Sequence, residues 1–209
     1  TRQLTEKGYG ICIGRPINNI DIRIIRISDD PIERWTDDLT VSQGEIGEIT
    51  VKGALVSRRY FENPAADALA KITEGNQIRH RMGDLGWMDE KGRLWFCGRK
   101  SHRVVTTEET LFTIPCEAIF NNHPRVFRSA LVGIGLRLQQ RPVIVVELEK
   151  TGTHGRHRKL EKELLGMAAA NKLTKSIQTV LFHKAFPVDI RHNSKIFREK
   201  LAIWAEKII

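Results

Sequence analysis

The stretch from Met82 to Lys100 reads MGDLGWMDEKGRLWFCGRK. A carboxylate, Asp84, stands at one end of it, and a glycine followed by two cations, Gly98, Arg99 and Lys100, stands at the other. A carboxylate can accept hydrogen bonds from two neighbouring hydroxyls, as on a ribose. A guanidinium can pair with a phosphate or sugar oxygen. A glycine between them can absorb a large backbone rotation. These types at this spacing suit a sugar-phosphate held beside a pivot.

The residues between them must do the positioning. Two short strand-like runs, Leu85–Met88 and Arg93–Phe96, flank Asp89-Glu90-Lys91-Gly92, and a short polar loop ending in glycine between apolar runs predicts a hairpin. Asp84 is expected just before the first strand, where Gly83 and Gly86 leave the backbone free to present it. Gly98 is expected just after the second strand, and Lys100 is expected to face solvent.

The stretch resembles the hinge region of the adenylate-forming enzymes (acyl-CoA synthetases, amino-acid adenylation domains and luciferases), whose pattern is roughly T-G-D-x-G-x-x-D-x-x-G-x-x-x-x-x-x-R-K. Met82 stands in place of the threonine. Further segments fit the same family. EIGEITVKG at 45–53 resembles G-E-I/L-x-V-x-G, and YFENP at 60–64 resembles G-Y-x-N-x-P. PCEAI at 115–119 resembles P-x-E-I-E, and VDIRHNSKIFREKL at 188–201 resembles P-x-T-x-x-G-K-I-x-R with Ser194 in place of glycine.

The resemblance implies roles. Asp84 would hold the 2′- and 3′-hydroxyls of ATP and of the acyl-adenylate, and Arg99 would contact ribose or phosphate. Gly98 would be the hinge, a departure from the family's usual Asp or Lys. Lys195, ninety-six residues after Arg99, would form the adenylate, because a compact cation beside the α-phosphate stabilises the charge that builds there. The implied cofactor is ATP, with Mg2+ bound mainly by an N-terminal domain that this sequence lacks. The family's phosphate loop and its Y-G-x-T-E-type motif are not found in it.

The implied fold is α+β. Residues 1–97 would be the small β-rich end of the large adenylation domain, and 98–209 a mixed α/β C-terminal lid domain. Ile20, Ile22 and Ile24 alternate with polar residues as a half-buried strand, and Ile25 and Ile27 hint at a bulge. Asn63 can cap a helix opened by Pro64, with Leu69 and Ile72 on its apolar face. Arg103–Thr106 and Leu111–Thr113 read as a hairpin, Pro115 to about Asn122 as a helix, and Val126–Ile134 and Pro142–Leu148 as strands. Thr151–His157 reads as a polar loop, with His154 and His157 solvated. Leu160, Leu164, Met167 and Ala168 recur at helix spacing. Ile177–Phe182 reads as a strand, and Asn193 or Ser194 as the cap of a last helix.

Composition narrows the class. The chain has 209 residues, is 41% hydrophobic and carries a formal net charge of +9. No aromatic–basic pattern or helix-turn-helix accompanies the charge, so nucleic acid is not an expected partner. No apolar run is long enough to span a membrane. Cys12, Cys97 and Cys116 form no C-x-x-C pair and suit a cytoplasmic protein. The seven histidines form no metal set. The chain opens on Thr1, as a piece of a longer protein would.

Within the family, GRKSHRVVTTEETLFT and PVDIRHNSKI are most similar to the β-lactone synthetases of bacterial olefin biosynthesis. That resemblance implies ATP-dependent closure of a long-chain 2-alkyl-3-hydroxy acid to a β-lactone, with no CoA. In CoA ligases the loop after the hinge is glycine-rich; here it carries Glu108 and Glu109, whose bulk and charge disfavour an anionic thiol. The alternatives are a fatty acyl-CoA or aryl-CoA ligase, or a basic non-catalytic docking module. Docking to sister enzymes of the pathway is compatible with catalysis. The fragment alone is expected to be inactive.

Overall fold

The computed structural model describes residues 1–149 and 157–209. The predicted loop at 151–157, with His154, lies outside them up to the helix that opens at His157. The chain divides into two compact units, Gly10–Ser101 and Thr1–Tyr9 with His102–Ile209.

The first nine residues carry a short helix, α1 (Arg2–Glu6). The β-rich unit then contains β1 (Ile11–Gly14), β2 (Ile20–Ile25), β3 (Gly47–Gly53), helix α2 (Pro64–Ala70), β4 (Lys71–Glu74), β5 (Gln77–Met88) and β6 (Leu94–Arg99). Its antiparallel sheet runs β1-β6-β5-β3-β2, with β4 paired to β5. β5 is the spine. β3 lies along one edge, while β4 pairs with its first residues and β6 with its last on the other edge.

Two local expectations change. β2 pairs with β3 in unbroken register, without a bulge, because Ile24 and Ile25 are buried on opposite faces rather than competing for one. Asn63 does cap α2, its Oδ1 accepting the Ala66 N–H at 3.0 Å. Leu69, however, is exposed, and Ile72 is buried in β4 instead of lining the helix.

The second unit is a three-layer sandwich. After the hairpin β7 (Val104–Val105) and β8 (Thr110–Leu111) come α3 (Thr113–Asn121), β9 (Val126–Ile134), β10 (Arg141–Leu148) and α4 (His157–Ala169). Then follow β11 (Val180–Phe182), β12 (Val188–Asp189), β13 (His192–Ile196) and α5 (Arg198–Glu206). The sheet order is β11-β10-β9, antiparallel between β9 and β10 and parallel between β10 and β11. Leu131, Ile144 and Val146 pack on one face with Phe120 of α3 and Leu160 and Leu164 of α4. Their alternates Ala130, Val132, Val143 and Val145 pack on the other with Leu201 and Ala205 of α5. Burial on both faces is why Val143–Val146 reads as a continuous apolar run.

The end of the chain departs most from expectation. Neither Asn193 nor Ser194 caps the last helix. Residues 192–196 form β13, paired with β12, and α5 starts only at Arg198. Burial of Ile196 in the core beside α5 favours strand there over an early helix start. The predicted strand from Ile177 is shorter, beginning at Val180.

Candidate functional site

The hairpin is organised by one carboxylate. Asp89 Oδ1 accepts the backbone N–H groups of Lys91 and Arg93, both at 2.9 Å. Its Oδ2 accepts Arg93 Nε at 2.7 Å and the Trp95 indole N–H at 3.0 Å. Burial alone would push its pKa up, but the donors from Trp95 and Arg93 hold it well below the ordinary carboxylate range. Trp87 stacks on Trp95 across the strands, with ring centroids 5.6 Å apart. Gly92 closes the turn at φ +70°.

Pairing runs further than the sequence suggested, and this moves the site residues. Asp84 lies inside β5, not before it, and Gly98 lies inside β6, not after it. Two irregularities allow this. Between Arg81 and Leu85, β5 carries two residues more than β3, with Gly83 at φ +67°. β6 has its own register shift beside Gly98, at φ +123°. Bulges of this kind turn a strand and re-aim its side chains.

The outcome is that Asp84 and Arg99 stand opposite each other across β5 and β6. Arg99 Nε is 3.1 Å from Asp84 Oδ1. The guanidinium is 57% exposed and the carboxylate 22%. Asp84 Oδ1 is nevertheless buried without a hydrogen-bond partner, because the approach of Arg99 is close but poorly aligned. Burial raises the Asp84 pKa, and Arg99 pulls it part of the way back. Once the exposed guanidinium of Arg99 shifts off it, a carboxylate oxygen lacking donors can receive a hydroxyl, while the guanidinium receives a phosphate or sugar oxygen.

The raised pKa sets a sign. The protonated carboxyl is the form that the folded state favours, so stability is lost as pH rises through the raised value. Asp84→Asn removes that cost. Thermal unfolding of the 209-residue chain should show the variant melting above wild type at pH 7. The gap should close as pH falls below the ordinary aspartate value of 3.8. Equal melting at pH 7 would mean that the charge carries no burial cost.

Lys100 does not face solvent. Its Nζ donates to Glu48 Oε2 at 3.1 Å and to the Ser28 carbonyl at 2.9 Å. Glu48 is 1% exposed and also accepts Arg81 Nη2 at 2.7 Å. Arg81 donates in turn to the carbonyls of Ser28 and Asp30. A buried three-charge cluster therefore pins the residue next to Arg99. Reading the sequence as a strand found the segment holding Glu48 but not its role. The usable signal was an acidic residue at 48 between Gly47 and the β-branched Ile49 and Thr50, in a stretch already read as a strand.

Lys195 belongs to the other unit. It is exposed on β13, not at the start of a helix. The residues that follow it are anchored: Ile196 in the core, Arg198 on the buried Glu117, and Glu199 beside His102. The site expectation assigned no role to Glu117, Arg198 or His102. Charge balances within residues 10–101, so the whole formal excess of +9 belongs to the unit that carries Lys195. Among the described residues, no group of three His, Cys, Asp or Glu is placed to hold a metal ion.

No protein-family model matches the chain. It is 47% identical to the olefin beta-lactone synthetase of Xanthomonas campestris pv. campestris and 45% identical to that of Stenotrophomonas maltophilia. Each match covers 98% of this chain and 38% of the relative, so the chain spans about two-fifths of the length of the curated relatives it matches. Other relatives are CoA ligases. ATP-bound MatB from Rhodopseudomonas palustris superimposes with a TM-score of 0.73, over 94% of this chain and 36% of its own, at 20% identity, which shows a shared fold. By sequence and by fold, the chain is a homologue of a C-terminal part of the adenylate-forming enzymes, with olefin beta-lactone synthetases among its close relatives.

Proposed function

We propose that this chain supplies the nucleotide-gripping strands and the lid of an ATP-dependent, AMP-forming enzyme that converts a long-chain 2-alkyl-3-hydroxy acid to a β-lactone. The observation that carries the nucleotide part is the buried, donor-free Oδ1 of Asp84 beside the exposed guanidinium of Arg99. The ribose diol supplies the donors that oxygen lacks. Lys195 supplies the ammonium for the α-phosphate, and the positive balance of its unit favours a triphosphate.

The reaction has two steps. A carboxylate oxygen of the substrate attacks the α-phosphorus, and pyrophosphate leaves. The 3-hydroxyl oxygen then attacks the acyl carbon and loses its proton as AMP departs. Lys195 serves the first step by meeting charge that grows on the phosphate oxygens. Mg2+ is assigned to the part of the relatives that this chain does not match.

The pivot expected at Gly98 fits better a few residues on. Lys100 is tied to Glu48, and the compact β-rich unit runs through Ser101. That supports a pivot at Ser101–His102, together with the chain's other crossing at Tyr9–Gly10, with Gly98 serving the bulge that aims Arg99. The unpaired Cys12, Cys97 and Cys116 suit the cytoplasm.

The turn between β7 and β8 favours the lactone product over a thioester. Thr106 Oγ1 accepts the N–H groups of Glu108 and Glu109 and donates to the Glu109 carbonyl. The result is a closed, side-chain-bearing turn where the CoA ligases carry glycines. The test is the full-length protein with a long-chain 2-alkyl-3-hydroxy acid and ATP, with and without CoA. AMP and lactone should form at the same rate in both. A requirement for CoA, with thioester as product, would establish the ligase alternative.

A further inference from the structure

Arg198 is three residues beyond Lys195, in the first turn of α5. Its guanidinium makes a fork on Glu117 of α3, with Nη2 at 2.7 and 2.8 Å from the two carboxylate oxygens and Nε at 3.2 Å. Glu117 is 5% exposed, and its Oε1 also accepts the Leu131 N–H of β9 at 2.8 Å. One carboxylate thus ties α3, the central sheet and the start of α5 to a single point. Glu199, the next residue, has Oε1 3.0 Å from His102 Nε2. His102 is the first residue after the division between the units.

A pair this deep is a costly way to gain stability, since hydrophobic residues of similar volume would often hold the helices as well. What a forked ion pair adds is a fixed direction. β13 needs one. Among the described residues its strand partner is the two-residue β12, met through a register shift, with residues 190–191 forming the turn between them. The position of Lys195 is therefore set mainly from its C-terminal side.

Resting on the adenylation role given to Lys195 above, we infer that Arg198, held by Glu117, is a positioning residue that sets where the Lys195 ammonium is presented. His102–Glu199 ties the same turn of helix to the segment that opens this unit after Ser101.

The test uses the full-length protein and two assays: ATP–pyrophosphate exchange, which reads adenylate formation, and conversion of supplied acyl-adenylate, which bypasses it. Arg198→Met with Glu117→Gln removes both charges together, so no buried charge is left uncompensated. This pair should lower exchange by roughly tenfold to a hundredfold, the scale of an ångström-sized misplacement. The KM for ATP and the conversion of supplied adenylate should hardly change. Arg198→Lys, which keeps a charge on Glu117 but loses the fork, should show a smaller loss of the same kind and serves if the double variant fails to fold. In a Lys195→Ala background the double replacement should add less than about threefold, because residues acting as a unit do not multiply. Losses that multiply, or that fall equally on both assays, would overturn the inference. Normal exchange in folded Arg198 variants beside lost exchange in Lys195→Ala would overturn it alone. Normal exchange in Lys195→Ala would overturn the adenylation role as well.

Discussion

On the adenylation role proposed for it, replacing Lys195 by alanine in the full-length protein should lower the rate of adenylate formation by roughly a hundredfold or more, the scale of losing a preorganised charge at a transition state. The loss belongs in kcat for ATP–pyrophosphate exchange. With the ground-state grip proposed for Asp84 and Arg99 left intact, KM for ATP should move little. Conversion of supplied acyl-adenylate should lose far less, since in that step bonds change at the acyl carbon, and charge appears only on the departing phosphate oxygen, not around a phosphorus under attack. Arginine at 195 should not restore the rate, because a planar fork does not replace a compact ammonium. The position can be tested cleanly: Lys195 is exposed, and its fold anchors are its neighbours Ile196 and Arg198. A loss below threefold would remove Lys195 from the chemistry.

Glu48→Ala is the largest expected effect on stability. Glu48 neutralises two cations that the fold has taken out of water, Arg81 at 1% side-chain exposure and Lys100 at 18%. Removing one partner of a buried ion pair costs about 3–5 kcal/mol, because the other charge stays behind. For a chain of this size each kcal/mol shifts the melting temperature by about 2–4 °C. A drop of roughly 10 °C or more is expected by calorimetry, with the β-rich unit melting first. Glu48→Gln should lose less, since the amide oxygen can still accept from Arg81. The same variants release Lys100, so Arg99 should hold nucleotide more weakly even where the protein stays folded. A shift of less than 2 °C for Glu48→Ala would mean that the carbonyls of Ser28 and Asp30 suffice for Arg81.

Much of the architecture could be read without coordinates, for identifiable reasons. The strands at 126–134 and 142–148 and the helix through Leu160 and Leu164 have strong periodicity or apolar content, and burial follows from that pattern. Asn63-Pro64 is local capping chemistry and formed as read. Where the reading went astray, a longer-range interaction had outweighed local preference. Residues 192–196 resemble a polar helix start, yet pairing with β12 and burial of Ile196 make them a strand. Lys100 looks like a surface lysine among other cations, but Glu48 lies fifty-two positions earlier.

The types and order of the residues proposed to handle a nucleotide, and the hairpin that carries the first of them, are local properties that the chain shows unfolded. How those residues are held is a property of the folded molecule. Bulges beside Gly83 and Gly98 extend the pairing until Asp84 meets Arg99. Buried acids at 48 and 117 fix Lys100, next to Arg99, and Arg198, three residues beyond Lys195. Register and burial depend on partners distant in sequence, and whether a charge is solvated or sequestered is settled only once those partners have closed around it.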